Sequence, residues 1–466
     1  MKKGITLLVV ALLLLTSFSN VFAGGQQEAV EAAPEVATPA EPVEIQFWTR
    51  QTQSERQEQI QVLLDVFQLL NPDIKVTMLP VEDNEFSTQL AAAGKANRPN
   101  LIETSAFYAM SYNVDNIVDS SANKAIINSV GADSFFPGSL NNVQMGDGSY
   151  FGVPFHFAAQ GIWYRTDWFE EAGLEAPNTW ENILKAAEYF NDPANKQYGI
   201  LIGTKPENYT QQTFTHLATA NDAHLFDAEG NLAVTSPEFK EAVEYYKALS
   251  EFTPPGPQTW RARDYYIQGK MAMFYYSTYI MDDLSLAEVA ASSLTSENFS
   301  DLGGGTFDSN LVKNTAFVPL ISNTESSGYG EIMTLSVLKS EDAAKTAATQ
   351  RLAEFFLSDE NYIPYLHVAP GGMLAMKTSV IESDQFINDP KGVYANYGKA
   401  KINEIAGGLG AMQDFLKTGE SLFPESASIL AKNLVGQMLY NVTIEDKDID
   451  DEIANLEKEI KRLLEN

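Results

Sequence analysis

Residues 43–102 read VEIQFWTRQTQSERQEQIQVLLDVFQLLNPDIKVTMLPVEDNEFSTQLAAAGKANRPNLI and carry the clearest pattern of alternating strands and helices. Two β-rich runs, Val43–Trp48 and Ile74–Leu79, flank a helical pattern of apolar residues that stops at Asn71. A second helical pattern, from about Phe86 to Lys95, leads to a short third apolar run. The resulting β-α-β-α-β order predicts an α/β protein with a parallel sheet.

Ligands of open parallel sheets bind beyond the carboxyl ends of the strands. In this chain Trp48, Thr49 and Arg50 end or follow the first predicted strand. Ser105 and Phe107 follow the third predicted strand. We therefore predict that these residues line a binding pocket.

The α/β pattern continues through the middle of the chain. Ser236 and Pro237 mark the start of a helix that is predicted to run to Phe252. Short apolar runs such as Gly199–Ile202 and Ala272–Tyr275 recur at intervals that suit further α/β units. A chain of 466 residues with this pattern is expected to divide into two compact units.

The first residues have the pattern of an export signal. Lys2 and Lys3 precede the apolar run Ile5–Leu15, and Ala23 suits cleavage by a signal peptidase. The run is too short to cross a hydrocarbon core of about 30 Å. We predict a signal peptide over residues 1–23 and a soluble protein outside the cytoplasm, in the periplasm.

The composition narrows the possible partners and anchors. The chain has no cysteine, so neither a lipid anchor nor a disulfide is expected. Its 62 acidic and 31 basic side chains give a net charge of -31, which repels nucleic acid and anionic membranes. Residues 24–42 are rich in Ala, Glu and Pro and are predicted to form a disordered acidic linker.

An amphipathic helix is predicted at the C-terminus. A capping-box pattern of Thr443 and Asp446 precedes it. Its apolar residues alternate spacings of four and three: Ile449, Ile453, Leu456, Ile460 and Leu463. We expect this helix to dock on the body of the protein, although a coiled-coil partner is an alternative.

Aromatic side chains concentrate near Trp260, which follows a proline-rich loop. Tyr275 and Tyr279 come shortly after it, with Ser277 between them. Aromatic rings cover the apolar C–H faces of a sugar, while polar groups at their edges bind its hydroxyls. This pattern predicts a carbohydrate site with Trp260 as its main stacking surface, the alternative being that these rings belong to the core.

The segment GSYFGVPFHFAAQGIWYRTDWFEEAGLEAPNTWENILKAAEYF, residues 148–190, resembles the family 1 extracellular solute-binding proteins, the maltose-binding-protein-like carriers. In that family a Gly-Val-Pro segment, here Gly152–Pro154, enters the hinge. Segments 43–50, 224–249, 265–279 and 351–362 extend the resemblance over nearly all of the chain after the signal.

The resemblance implies a two-lobed periplasmic-binding-protein fold, also called a Venus flytrap, with a hinge between the lobes. Lobe 1 is predicted to comprise residues 43–155 and 311–367, and lobe 2 residues 156–310 and 368–466. It also implies a monomer that captures a carbohydrate by hinge closure and delivers it to the membrane permease of an ABC importer. Neither an enzyme activity nor a cofactor is expected.

The same resemblance places further candidate residues in the cleft. They are Phe155, His156, Tyr164, Gly371, Gly372 and Met373. The two glycines lack side chains and so allow the backbone to approach a ligand. Residues 276–278 depart from the family pattern, so the identity of the sugar does not follow from the resemblance.

The sequence gives little support to a catalytic or a metal-binding function. The chain contains no Gly-x-Ser-x-Gly elbow, no His-Glu-x-x-His helix and no Walker loop, and its four histidines lack metal-ligand spacing. Acidic residues near the C-terminus fit part of a calcium loop, but Asp451 stands where glycine is needed, so no metal is expected. Two alternatives stay open: a secreted glycoside hydrolase, because its carboxylate pair carries no local motif, and the same clamp serving a chemoreceptor.

Overall fold

The structure is a computed structural model that describes residues 41–82, 85–95, 97–136, 138–419 and 421–465. The predicted signal peptide, and residues 24–40 of the predicted linker, lie outside the described residues. Among the helices of the described ranges, none combines the length and the apolar character needed to span a membrane.

The strands follow one another along the chain between residues 43 and 422. They are β1 (Val43–Thr49), β2 (Ile74–Pro80), β3 (Leu101–Ser105), β4 (Val153–Arg165), β5 (Tyr198–Leu201), β6 (Met271–Ser277), β7 (Thr315–Val318), β8 (Leu320–Ser322), β9 (Ser326–Val337), β10 (Leu374–Ala375), β11 (Lys417–Thr418) and β12 (Ser421–Leu422).

The helices alternate with the strands at first and predominate after β9. They are α1 (Ser54–Leu70), α2 (Phe86–Ala93), α3 (Ala106–Val114), α4 (Ser120–Val130), α5 (Thr166–Ala172), α6 (Trp180–Phe190), α7 (Asn208–Thr219), α8 (Pro237–Ser250), α9 (Asp264–Ile267), α10 (Ile280–Ser285), α11 (Ala287–Ala290), α12 (Ala343–Leu357), α13 (Asp359–Leu366), α14 (Thr378–Ile381), α15 (Asp384–Ile387), α16 (Val393–Tyr397), α17 (Lys399–Gly407), α18 (Pro424–Ala431), α19 (Leu434–Thr443) and α20 (Ile449–Leu464).

The main sheet has the strand order β2-β1-β3-β9-β4-β6-β5. β1 pairs in parallel with β2 and with β3, so the β-α-β-α-β opening expected from residues 43–102 is confirmed. β5 and β6 form a second parallel pair at the other edge. The two parallel groups are the cores of the two α/β lobes.

The long strands β4 and β9 join the two groups. The first part of β4 pairs with β9 next to β3, and Gln160–Tyr164 of the same strand pair with β6. The register between β4 and β9 shifts between Pro154 and His156, where a proline cannot donate to the ladder. β4 therefore runs from β9 to β6, and its pairing with β6 begins at Gln160.

The lobe boundaries themselves stay a prediction. One pairing bears on them, because β7 pairs with Ile162–Arg165 at the far end of β4. Thr315–Val318 therefore lies beside the strands of the second group, although residues 311–367 were assigned to lobe 1.

Apolar side chains pack against both groups of strands, and one large buried cluster includes residues of both, such as Phe47 of β1 and Phe274 of β6. Phe47 of β1 packs with Phe356 of α12, and Phe67 of α1 packs with Phe355. In the other lobe Phe214 of α7 packs against Phe239 and Tyr246 of α8, which are fully buried. The apolar core is therefore continuous across the crossing strands, and the second group of strands has further packing of its own around α7 and α8.

The predicted C-terminal helix is confirmed as α20, with Ile453, Leu456 and Ile460 buried against the second lobe. The predicted capping box is wrong. Thr443 ends α19 and donates to the carbonyl of Leu439 at 2.8 Å, so it is part of the preceding helix. The helix starts later, and Asp448 caps it by accepting from the N–H of Asp451 at 3.1 Å.

Candidate functional site

A cleft of about 940 Å³ lies along the crossing strands and is open to solvent. Arg50 lines it from the end of β1, and Gln160 and Glu331 line it from the crossing strands β4 and β9. Gln212 of α7 and Trp260 line it from the second lobe. The cleft thus lies where the sheet topology predicts a ligand site, with walls from both lobes.

One wall of the cleft carries an aromatic surface that is held by an arginine. Trp260 is 41% exposed, and its ring centroid lies 6.4 Å from that of Tyr276. The guanidinium of Arg263 lies 5.0 Å from the Trp260 centroid and donates to the Tyr276 hydroxyl at 2.8 Å. Arg263 also forms a buried ion pair with Asp283 at 3.0 Å. The guanidinium that contacts both rings is therefore held in place by Asp283.

Two consecutive carboxylates, Asp282 and Asp283, line the same part of the cleft. Burial raises the pKa of Asp282, and repulsion from Asp283 raises it further. Burial also raises the pKa of Asp283, although the Arg263 cation opposes this effect. Carboxylates are strong acceptors for sugar hydroxyls. The pair was not predicted from the sequence, where its only signal was its position just after the aromatic strand β6.

Tyr279 and Arg56 face each other across the cleft. The Arg56 guanidinium lies 5.4 Å from the centroid of the Tyr279 ring, and Arg56 also donates to Gln51 at 3.3 Å. Burial raises the pKa of Tyr279 to about 12, so its hydroxyl keeps its proton. A Cβ on Gly372 would lie 2.1 Å from this ring. Gly372 therefore makes room for Tyr279.

A buried polar cluster lies beneath the floor of the cleft, centred on Glu103 of β3. Its carboxylate accepts hydrogen bonds from Thr49, from Gln51 at 3.1 Å, from His156 at 2.8 Å and from Tyr365 at 2.7 Å. Burial by itself would raise the pKa of Glu103, but these donors outweigh it and lower the pKa. Burial also lowers the pKa of His156. The cluster fixes Gln51, which lines the cleft above it.

The structure brings some of the sequence-predicted residues to the cleft. Arg50, Trp260, Ser277 and Tyr279 line it. Ser105 and Phe107 line a smaller chamber that adjoins the cleft. Their contact with a solute remains a prediction.

The remaining candidates lie in the interior or away from the cleft. Trp48, Thr49, Phe155, His156, Tyr275 and Met373 are buried. Trp48 packs its ring on Phe86, and Tyr275 bonds through its hydroxyl to His216 at 2.9 Å. Tyr164 packs against Phe169, and Gly371 faces Met281. The Tyr275 side chain points away from the cleft because consecutive residues of a strand face opposite sides, so Tyr276 occupies the cleft position.

Comparison with known proteins agrees with this architecture. Residues 52–363 match the profile of the family described as bacterial extracellular solute-binding protein. The putative ABC transporter periplasmic-binding protein YcjN of Escherichia coli strain K12 is 29% identical over 426 residues, which cover 91% of this chain and 93% of that protein.

Solved structures show the same two-lobed fold at low sequence identity. Maltose-bound MalE3 of T. maritima superposes with a TM-score of 0.70 at 16% identity. The superposition covers 90% of this chain and 100% of the MalE3 chain. An ABC transporter solute binding protein from Agrobacterium vitis S4 with bound D-mannitol superposes with a TM-score of 0.67 at 17% identity. The superposition covers 91% of this chain and 98% of the Agrobacterium chain.

Proposed function

Because this chain belongs to the bacterial extracellular solute-binding proteins, we propose that it captures a carbohydrate between its two lobes and delivers it to the permease of an ABC importer. A relative named as an ABC transporter periplasmic-binding protein supports the importer role. Neighbouring structures that hold maltose and D-mannitol support a sugar or polyol as the solute.

The observation that carries this proposal is the aromatic surface of Trp260 and Tyr276 beside the carboxylates Asp282 and Asp283. A sugar ring presents an apolar C–H face and a rim of hydroxyls. Trp260 is exposed enough to cover the face, and the adjacent carboxylates accept from the rim. Because Arg263 already fixes both rings and Asp283, little side-chain entropy is lost when a sugar binds.

Hinge closure is the proposed route to capture. The cleft has walls from both lobes, and the lobes are joined through β4 and β9. A rotation of one lobe against the other would bury the solute between surfaces that are wet when the lobes are apart.

We propose that the protein binds its solute without changing it and needs no cofactor. The family comprises binding proteins, and the chain lacks the local catalytic motifs named above. A purified protein that released free sugar from any glycoside would instead support the hydrolase alternative. A chemoreceptor as a further partner of the same clamp is compatible with this binding role.

The proposed location is the periplasm, as an exported monomer without a lipid anchor. The family is an extracellular one, and the chain contains no cysteine to carry a lipid. The net charge of -31 opposes binding to nucleic acid.

The first prediction tests the Trp260 surface. A thermal-shift screen against sugars and polyols identifies the solute, because a ligand at a hundred times its dissociation constant adds about 2.7 kcal/mol to the stability of the protein. We then expect Trp260→Ala to weaken binding of that solute about tenfold or more in calorimetry, since a covered aromatic ring contributes roughly 1–3 kcal/mol. The melting temperature of the unliganded variant should change little, because Trp260 is exposed.

Tyr189→Ala is the matched control. Tyr189 is 61% exposed on α6 and does not line the cleft, so its loss should leave affinity unchanged. Unaltered affinity of Trp260→Ala, or failure of that variant to fold, would contradict the assignment of Trp260 as the stacking surface.

A further inference from the structure

Glu103 carries a negative charge in the interior of the protein, beneath the floor of the cleft. It is fully buried, and among the described residues no lysine or arginine forms an ion pair with it. Its hydrogen-bond donors lower its pKa, so the carboxylate is ionised at neutral pH. Burial lowers the pKa of His156, which is therefore a neutral donor to this carboxylate. A buried charge of this kind is costly unless the surrounding groups compensate it.

Gln51 connects this buried charge to the cleft. Its Nε2 donates to Glu103 Oε1 at 3.1 Å, and its Oε1 accepts from the guanidinium of Arg56 at 3.3 Å. An ionised carboxylate only accepts hydrogen bonds and a guanidinium only donates them, so a single orientation of the amide satisfies both neighbours. Gln51 is 2% exposed, and its backbone N–H donates to Thr49 at 3.1 Å. The amide is therefore a fixed link between Glu103 and Arg56.

Arg56 differs from the other arginines that line the cleft. Arg50, Arg261 and Arg263 each pair with a carboxylate, at 3.3, 3.2 and 3.0 Å. Within the described ranges of the chain, Arg56 has no ion-pair partner, and its side chain donates to Gln51. A guanidinium has several N–H donors, so Arg56 keeps donors that other groups of the fold do not use.

The position of Arg56 is also fixed by an aromatic ring. Its guanidinium lies 5.4 Å from the centroid of the Tyr279 ring, within the range of about 6 Å over which a cation is attracted to a ring face. Both residues line the cleft. A guanidinium that is held by an amide and by a ring loses little side-chain entropy when it binds a solute.

We infer that Arg56 donates hydrogen bonds to an oxygen of the bound solute, and that Glu103 holds Arg56 in place for this contact through Gln51. Arg56 is then a specificity residue, while Glu103 is a positioning residue that lies too deep to touch the solute. This inference rests on the proposed function and deepens it, because it assigns polar recognition to the wall that faces Trp260. The buried charge of Glu103 thereby serves binding.

Calorimetry of the full mature protein with glucose, D-mannitol, maltose, cellobiose, sucrose and trehalose tests the contact. For the probe that binds most tightly, Arg56→Gln should weaken affinity roughly ten- to a hundredfold, the effect of losing hydrogen bonds from a charged donor. Gln51→Met breaks the link but keeps a side chain of similar size, so it should weaken the same probe roughly three- to tenfold. Gln51→Asn, whose amide is too short to reach both neighbours, is a second variant with the same expected result if Gln51→Met does not fold.

A double-mutant cycle separates positioning from a general structural effect. In the Arg56→Gln background, Gln51→Met should change the affinity by less than about twofold, because no guanidinium remains to be positioned. An equal loss in both backgrounds would show that Gln51 acts on the solute directly or through the stability of the fold. The inference would then be wrong.

Tyr365→Phe is the matched control for damage to the buried cluster. It removes the hydroxyl that donates to Glu103 Oε2 at 2.7 Å, and it leaves the bond between Gln51 and Oε1 in place. Tyr365 is buried and does not line the cleft. The control should lower the melting temperature, as Gln51→Met does, and leave the affinity unchanged. A loss of affinity as large as that of Gln51→Met would contradict the specific role of the link.

The outcomes distinguish this inference from the proposed function. If Trp260→Ala weakens a probe and Arg56→Gln does not, the Arg56 contact is wrong and the carbohydrate function stands. If none of the probes binds, the carbohydrate proposal fails and this inference fails with it.

Discussion

His216 shows how burial sets the charge of a single residue in this protein. It lies fully buried on α7, where Nδ1 accepts from the Tyr275 hydroxyl at 2.9 Å and Nε2 donates to the carbonyl of Ser327 at 2.8 Å. Both ring nitrogens are thus satisfied in the neutral form. Burial lowers the pKa of His216 to about 4.

This pKa leads to a pH-dependent stability. The unfolded chain takes up a proton on this histidine below about pH 6.5, while the folded protein does so only near pH 4. The unfolded state therefore binds more protons in that window, and the free energy of unfolding falls as the pH drops from about 6.5 towards 4. The maximal effect is about 3 kcal/mol.

Urea titrations at several pH values measure this effect. We expect His216→Gln to lose stability less steeply than the unmodified protein between pH 6.5 and pH 4. The variant lacks the proton uptake of this histidine in the unfolded state, and the two proteins share every other titrating group. Parallel curves for the two proteins would show that His216 does not carry the dependence.

At the scale of elements, α20 is a helix attached to the second lobe by one apolar face. Leu456 is buried against that lobe, and Leu464 on the last turn is 42% exposed. Lys240 and Lys247 of α8 pair with Asp450 and Asp446 near the start of the helix. Since these ion pairs are exposed, the apolar face provides most of the attachment.

Leu456→Ala should therefore lower the free energy of unfolding by about 2–5 kcal/mol, the usual cost of such a cavity. Leu464→Ala, in the same helix but exposed, should change it by less than about 0.5 kcal/mol. Denaturant unfolding measures both, and sugar affinity should be unchanged because neither residue lines the cleft. Equal effects of the two substitutions would indicate that α20 is not docked through this face.

At the scale of the whole molecule, the crossing strands β4 and β9 join the two groups of parallel strands. The Trp260 surface and the Asp282–Asp283 pair belong to one lobe, and Arg50 and Arg56 face them from the other. A solute bound to both sets of groups would stabilise a closed arrangement of the lobes relative to an open one. The size of this effect is set by how much more tightly the solute binds the closed arrangement than the open one.

We accordingly expect small-angle scattering to show a smaller radius of gyration when the solute found in the screen is added at saturation. The Trp260→Ala variant, measured at the same solute concentration, should remain less compact because it is less occupied. The recovered solute should be chemically unchanged after long incubation. A radius of gyration that does not respond to a saturating solute would contradict hinge closure.

The local sequence pattern was sufficient to predict the helices and strands that form through interactions between residues close in the chain. The β-α-β-α-β opening follows from hydrophobic periodicity, and α20 follows from apolar spacings of four and three. The exposed position of Trp260 followed from the proline-rich loop before it. These features depend on neighbours within a few residues, so they could be predicted from the order of residues along the chain.

Contacts between side chains that are distant in the chain could not be predicted in this way. Thr49, Glu103, His156 and Tyr365 are far apart in the chain, and folding alone brings them into one buried cluster. The packing around β6 sends Tyr275 into the core and leaves its neighbour Tyr276 in the cleft. The physical reason is that successive side chains of a strand point to opposite faces of the sheet whichever face is buried. Contacts with distant parts of the chain determine which of the two faces is buried.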